Sequence, residues 1–200
     1  MVVQRHLHFY QEIFGLPGFL RDPIVCFGYQ EFDNDVLLDG AHHADLGEYF
    51  AGMGLRTVSL DPFDPRAALR YDMNDPVPGS EHGRYGTFID IGSLEHVFDT
   101  RQCFENCLRM VAPGGHYLLH TPVNGYYGHG FHVFNPECLL NGMQLNGFEV
   151  VYLKYSRVDG TVIADPESSP NTLIWAVGRK EREMGKFVSP QQGKWLTRYV

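Results

Sequence analysis

The chain has 200 residues, 44% of them hydrophobic and 20% charged, which is enough for a full hydrophobic core in one domain. A formal net charge of −8 argues against a phosphate-backbone ligand, so nucleic acid is not an expected partner. No apolar run is long enough to cross a bilayer, and the opening Met1-Val2-Val3-Gln4-Arg5-His6 lacks the apolar core of a signal peptide, so the expectation is a cytoplasmic protein with no membrane partner. The four cysteines, Cys26, Cys103, Cys107 and Cys138, contain no Cys-x-x-Cys pair and read as free, mostly buried thiols of a reducing compartment.

Apolar residues at Val3, Leu7, Tyr10 and Phe14 have helical spacing, and Gly15 with Pro17 ends that pattern. Residues 1–22 therefore read as a helical cap, residues 23–180 as the core and 181–200 as a tail, all in one domain. Ile24-Val25-Cys26-Phe27-Gly28 is a candidate first strand followed by a turn through Tyr29-Gln30-Glu31-Phe32. Residues 44–53 carry a helical pattern closed by Gly54, and residues 56–61 form a second strand ending in Asp61. An acid at that position of a doubly wound sheet accepts hydrogen bonds from both ribose hydroxyls of a nucleotide. The competing reading, that Asp61 before Pro62 only starts a turn, is the less favoured one. Residues 67–71 read as a short strand, and 72–78 as a turn rich in Asp, Asn and Pro.

The most informative stretch is 85–122. An apolar run at 87–91 interrupted by Asp90 reads as a buried strand. Cys103, Phe104, Cys107, Leu108 and Val111 give a helix over 100–111, Pro113-Gly114-Gly115 a stop, and 116–120 a second strand. Strand, helix and strand make a βαβ unit, the building block of a parallel sheet. Gly92-Ser93-Leu94-Glu95-His96 follows the first of these strands, at the end where open α/β sheets bind ligands. His96 titrates near neutrality and suits a general base, or equally a partner that fixes the loop with Glu95; Glu95 itself reads as loop-fixing. Residues 123–134 mix Gly125, Gly128 and Gly130 with Tyr126, Tyr127, Phe131, Phe134, His129 and His132, the composition of a substrate wall or lid. His120 and His129 join His96 as base candidates. No third ligand stands at a recognised spacing from His129 and His132, so no metal site is expected.

Asn135-Pro136 starts a helix that Gly147 ends; 148–155 and 172–178 are strands separated by a polar loop, and the tail beyond 186 carries Trp195 and would fold over the body or contact a neighbour, which leaves a homodimer open.

The segment Asp90-Ile-Gly-Ser-Leu-Glu-His-Val-Phe-Asp99, a helix, Pro-Gly-Gly, and a strand ending in Thr121-Pro122 resembles the second half of a class I S-adenosylmethionine (SAM) dependent methyltransferase. The run 124–137 is similar to a branch of small methyltransferase-like proteins associated with surface-sugar and natural-product pathways, and the likeness spans roughly residues 23 to 180. The resemblance implies an α/β, doubly wound Rossmann-like sheet, mostly parallel with an antiparallel last strand and helices on both faces. It implies SAM as cofactor, with Gly28, Gly92 and Ser93 along the cofactor, Gln30 of a Gly-x-Gln variant turn offering an amide to its carboxylate, and Asp72 and Met73 beside the adenine. The implied activity is methyl transfer to a hydroxyl or amine of a small molecule, a sugar or secondary metabolite. The alternatives are a methyltransferase-fold binding or regulatory module, which the glycine-poor first turn keeps open, and a histidine-lined metal hydrolase.

Overall fold

The computed structural model describes residues 1–34 and 36–191. Residues 192–200, where much of the expected tail falls, lie outside the described residues.

Seven strands form one sheet. They are β1 (Ile24–Phe27), β2 (Thr57–Leu60), β3 (Tyr85–Ile91), β4 (Val111–Asn124), β5 (Phe148–Arg157), β6 (Val162–Ile163) and β7 (Thr172–Lys180), in the order β2-β1-β3-β4-β7-β5-β6. β2, β1, β3 and β4 run parallel, and β7 is antiparallel to both β4 and β5. The helices are α1 (Leu7–Phe14), α2 (Leu46–Gly52), α3 (Thr100–Met110) and α4 (Pro136–Leu145). The α/β architecture read from the sequence, with its antiparallel last strand, is the one observed.

Side chains alternate across a strand, and the two faces of the sheet use that period to bury two separate layers. Val25, Phe27, Phe88, Leu119 and Ala176 face α3 and α4, meeting Phe104, Leu108, Leu139 and Met143. Ile24, Cys26, Ile89, Trp175 and Val177 face α1 and α2, meeting Phe9, Tyr10, Ile13 and Phe50. The Trp175 ring is the centre of the second layer. Phe9 stacks on it at 4.4 Å and its Nε1 donates to Ser156 Oγ at 2.9 Å. β3 is buried along its whole length because both faces are covered, which is why it reads as a near-continuous apolar run.

The helix starts follow their caps. Asp45, Asp99 and Asn135 each accept a backbone N–H in the first turn of α2, α3 and α4. Lys180, 1% exposed at the end of β7, donates its ammonium to the carbonyls of Leu108 and Val111, which the end of α3 leaves without helical partners.

Four local expectations change. The strand expected over 67–71 reduces to a single bridge, with Leu69 donating to Ser59 O and accepting from Asp61, before Asp72 turns the chain. Pro113-Gly114-Gly115 does not separate α3 from a later strand: β4 begins at Val111, and its register against β3 jumps between Tyr85 and Thr87 to absorb the turn. The first helical pattern begins later than residue 2, because Val2 bridges Phe32 and Gln4–His6 form a 3-10 turn ahead of α1. The polar loop before β7 contains the short β6, paired to β5. Cys26, Cys103 and Cys107 are buried free thiols, while Cys138 is exposed.

Candidate functional site

β1 lies between β2 and β3. The chain leaves β1 toward β2 on one side and returns past it to β3 on the other, so the strand order reverses between β1 and β3. A crevice opens beyond the carboxyl ends at such a point, and ligands of open α/β sheets bind there.

Three strand ends are tied together around this crevice. Gly28 follows β1 with φ of 79°, a left-handed conformation that favours glycine, and its N–H donates to Leu60 O at 2.8 Å. A side chain at Gly28 would place its Cβ 3.2 Å from both Gln30 Nε2 and Ser93 Oγ. Ser93 Oγ and Gln30 Nε2 both donate to Phe27 O, at 2.8 and 2.6 Å. Gly92, with φ of 73°, donates its N–H to His120 O at 2.8 Å. Gly28, Gln30, Gly92 and Ser93 therefore lie together, as a bare backbone cradle with two short polar side chains. Gln30 is buried, and its Oε1 accepts from the Met1 amine at 3.1 Å.

Asp61 follows β2 directly. Its Oδ1 accepts the N–H groups of Phe63 and Asp64, at 2.8 and 3.1 Å, which is the turn-starting role; both bonds use one oxygen, and Oδ2 takes part in neither. Arg66 straps this region to the turn after β1. Its guanidinium pairs with Glu31 and with Asp64, each at 2.7 Å, and lies 3.8 Å over the Tyr29 ring. Asp72 is exposed and caps a turn, accepting from Asn74 N and Nδ2. Met73 is only 2% exposed and packs in the layer beside α3, with Sδ 4.0 Å from Asn106 Nδ2. Of the two residues expected beside an adenine, one is thus at the surface and the other is buried in the core layer beside α3.

The other half of the mouth is built on Glu95. This side chain is 1% exposed, and burial raises its carboxyl above the usual range. Thr121 Oγ1 donates to Oε2 at 2.9 Å. Oε1 has no hydrogen-bond partner and lies 3.8 Å from His129 Nε2. The backbone carbonyl of Glu95 accepts the N–H groups of Phe131 and His132, which pins the glycine-rich loop over the strand end. His96 and His129 stand edge to face with ring centres 5.1 Å apart, and burial lowers the His96 imidazole below its usual range. One ligand atom from each of Glu95, His96 and His129 falls within 4.8 Å of the others. Exposed Phe98 and Phe131 meet at 6.0 Å beside this cluster and give the mouth an apolar lip.

The third histidine of the expected set is placed differently. His120 lies on the α1 face, its ring centre 3.9 Å from that of Trp175 and 5.7 Å from that of His6. Neither ring nitrogen has a hydrogen-bond partner. Burial holds its imidazole well below the usual range, so it is neutral and weakly basic at pH 7. Asp90, near the carboxyl end of β3, accepts from Ser93 N and Tyr117 OH at 2.9 and 3.1 Å and is pushed up to about 8 by burial and by Glu95.

Sequence reading missed the orphaned oxygen of Glu95, its Thr121 partner, and Tyr126, whose buried hydroxyl also lacks a partner and whose φ is 58°. A groove of about 840 Å³ opens nearby between the loop and the last hairpin, lined by Val123, Phe134, Pro136, Leu153 and Tyr155, a volume that suits a small molecule.

No family model matches the sequence, and no curated protein matches it significantly. Solved structures do match the fold. The N-methyltransferase NodS from Bradyrhizobium japonicum, in complex with S-adenosylhomocysteine (SAH), superposes with a TM-score of 0.55 at 13% identity over 89% of this chain and 86% of its own. A TehB-like SAM-dependent methyltransferase from Corynebacterium glutamicum gives 0.54 at 14% identity over 88% and 87%. A SAM-dependent methyltransferase from Archaeoglobus fulgidus gives 0.56 at 12% identity over 88% and 94%. The chain has the Rossmann-like fold of these enzymes. Among the described residues, no helix is long and apolar enough to cross a membrane.

Proposed function

We propose that the chain is a SAM-dependent methyltransferase acting on a hydroxyl or amine of a small molecule, a sugar or secondary metabolite. The observation that carries this reading is the crevice at the strand-order reversal, where Gly28 presents bare backbone against Ser93 and Asp61 stands at the next strand end. The residues present fit the cofactor. Gly28, Gly92 and Ser93 leave room for its methionine part, Gln30, whose Nε2 already donates to Phe27 O, would offer its second N–H to the carboxylate, and Oδ2 of Asp61 accepts from the ribose hydroxyls. Asp72 accepts from the adenine amine, with Met73 under the ring as floor. SAM, when bound, supplies a methyl group already activated by its sulfonium.

What remains for the protein is to align the acceptor behind that methyl group and to take its proton. His129, exposed and held near Glu95, has the access this needs, with His96 beside it. His120 is a weaker base in a buried layer, and its part is to fill the space between Trp175 and His6. The net charge of −8 favours a small acceptor over nucleic acid, the name of the Bradyrhizobium neighbour describes transfer to nitrogen, and the Phe98–Phe131 lip suits an acceptor with an apolar part. The second reading, a binding module without transfer, is favoured by the Arg66 strap, which ties Glu31 of the first turn to Asp64 beside the ribose position.

The test is incubation with methyl-labelled SAM and a panel of amines and alcohols. Labelled product is expected, falling about 100-fold in His129→Ala, the lower end of what a general base contributes. Tight SAH binding with no labelled product across the panel supports the second reading instead.

A further inference from the structure

We propose that Glu95, His96 and His129 form a site for a divalent transition-metal ion at the acceptor end of the crevice. Two neutral imidazoles and one carboxylate are a donor set that such ions accept, and three protein ligands leave positions open for water or a ligand oxygen.

The observation that points to a ligand is the orphaned oxygen. Glu95 is 1% exposed, yet Oε1 has no hydrogen-bond partner. A buried carboxylate oxygen without a partner is costly, and one with a cation beside it is not. The aim of this oxygen is fixed from three directions. Thr121 holds Oε2, the carbonyl of Glu95 takes two N–H groups from the overlying loop, and Gly92 is tied to His120 O. A donor that orients a ligating carboxylate is a common feature of metal sites, and Thr121 fills that place.

The spacing is open by a small amount. Two donor atoms each about 2.1 Å from one ion stand roughly 3 to 3.5 Å apart. His129 Nε2 and Glu95 Oε1 are 3.8 Å apart, too long for a hydrogen bond, and the whole set lies within 4.8 Å. His129 sits between Gly128 and Gly130 on an exposed loop, so closing its gap to Glu95 by less than an ångström asks little of the backbone, and the exposed His96 ring closes the rest by about an ångström. Imidazole donors select Zn²⁺, Co²⁺, Ni²⁺ or Fe²⁺ over Mg²⁺ and Ca²⁺, which favour all-oxygen sites. The competing occupant of the gap is a proton on His129, which would make a plain ion pair with Glu95.

Ion binding itself stands on this geometry alone. Its use in transfer rests on the methyltransferase reading: an acceptor oxygen bound to the ion loses its proton more readily, which an alcohol acceptor needs, and with the ion in place His129 serves as ligand and the proton leaves to water instead of to His129.

The experiment is titration of the chelator-treated full chain with Co²⁺, followed by visible absorption and calorimetry, with SAH affinity measured on the same samples. One equivalent of Co²⁺ with visible bands of nitrogen and oxygen ligation is expected, weakened about 100-fold or more in Glu95→Gln and in His129→Ala and unchanged in His132→Ala. Retained SAH affinity in those variants would show that the fold is intact. No Co²⁺ uptake by a wild type that binds SAH would overturn the metal site, as would uptake indifferent to both substitutions or a preference for Mg²⁺. Co²⁺ uptake without SAH binding would instead remove the methyltransferase reading and leave the site standing.

Discussion

The two halves of the mouth are built in different ways. The half around the ends of β1, β2 and β3 is made from backbone: Gly28 and Gly92 at positive φ, the Phe27 carbonyl tied by Ser93 and Gln30, and an acid one residue past a strand end. The half around β4 is made from side chains brought together across the fold, with Glu95 held by Thr121 and approached by His129 from the overlying loop. The lesson is a division of labour. Strand ends and glycines can present a cradle that many sequences can build, whereas the chemistry of the proposed acceptor side depends on a few specific side chains meeting.

Substitutions should separate the halves. The largest effect is expected from Gly28→Val. An L residue at φ of 79° is strained by about 1–2 kcal/mol, and the new Cβ would crowd Gln30 and Ser93. SAH affinity should fall about 100-fold or more in calorimetry, while Glu95→Gln should leave it within about threefold, in keeping with the roughly 1.4 kcal/mol that each tenfold represents. An equal loss in both variants would mean that the halves are not separable.

The histidines and Asp90 sharpen the contrast through pH. His6 is pushed down to about 4, chiefly by burial, and His120 lies well below its usual range. A base with a lowered folded pKa is protonated first in the unfolded chain. Stability should therefore fall as pH drops from about 6.5 to about 4, by about 3 kcal/mol from His6 alone. Asp90 acts in the opposite sense. Its folded value of about 8 lies above that of a free carboxyl, so its contribution is full below about pH 4 and is lost as pH rises toward 8. Between about pH 4 and 6.5 the His6 and Asp90 slopes oppose each other and His120 tips the balance upward, whereas above about 6.5 only the Asp90 loss remains, so urea midpoints should peak near pH 6.5 and fall toward pH 8. Asp90→Asn should flatten the alkaline slope, and His120→Phe the acid one.

A smaller effect is expected from Thr121→Val, which removes the donor to Glu95 Oε2. Loss of one hydrogen bond to a charged or polar buried group is worth about 1–3 kcal/mol, visible as a lower thermal midpoint. Transfer should drop with it, and SAH affinity should not.

The same contrast explains what could be read in advance. The βαβ unit and the cap at Asn135 follow from local pattern, the antiparallel last strand follows from the family resemblance, and all are present; the cap at Asp99 emerges only in the structure. Gly28 with Ser93 was legible because a glycine after a short apolar run, and a second strand ending in Gly-Ser, are strand-end signals. Met73 was not, since its burial in the layer beside α3 is decided by Asn106, which comes from a distant helix. His120 looked like a base because alternation says only that it leaves the sheet, not that Trp175 and His6 close over it. The Glu95, His96 and His129 set was hidden for the same reason: two of its members are adjacent, but the third arrives on a distant loop. The strand expected at 67–71 failed because Leu69 makes its one bridge and Asp72 at once turns the chain.

The central claim is that the crevice between β1 and β3 holds SAM, with Asp61 on the ribose. The measurement that tests it most directly is calorimetric titration of SAH into the wild type and into Asp61→Ala. Micromolar binding that is lost in the variant is the expected result. No heat of binding from folded wild type at millimolar SAH would contradict the account, and Gly28 would then be a turn that no cofactor uses.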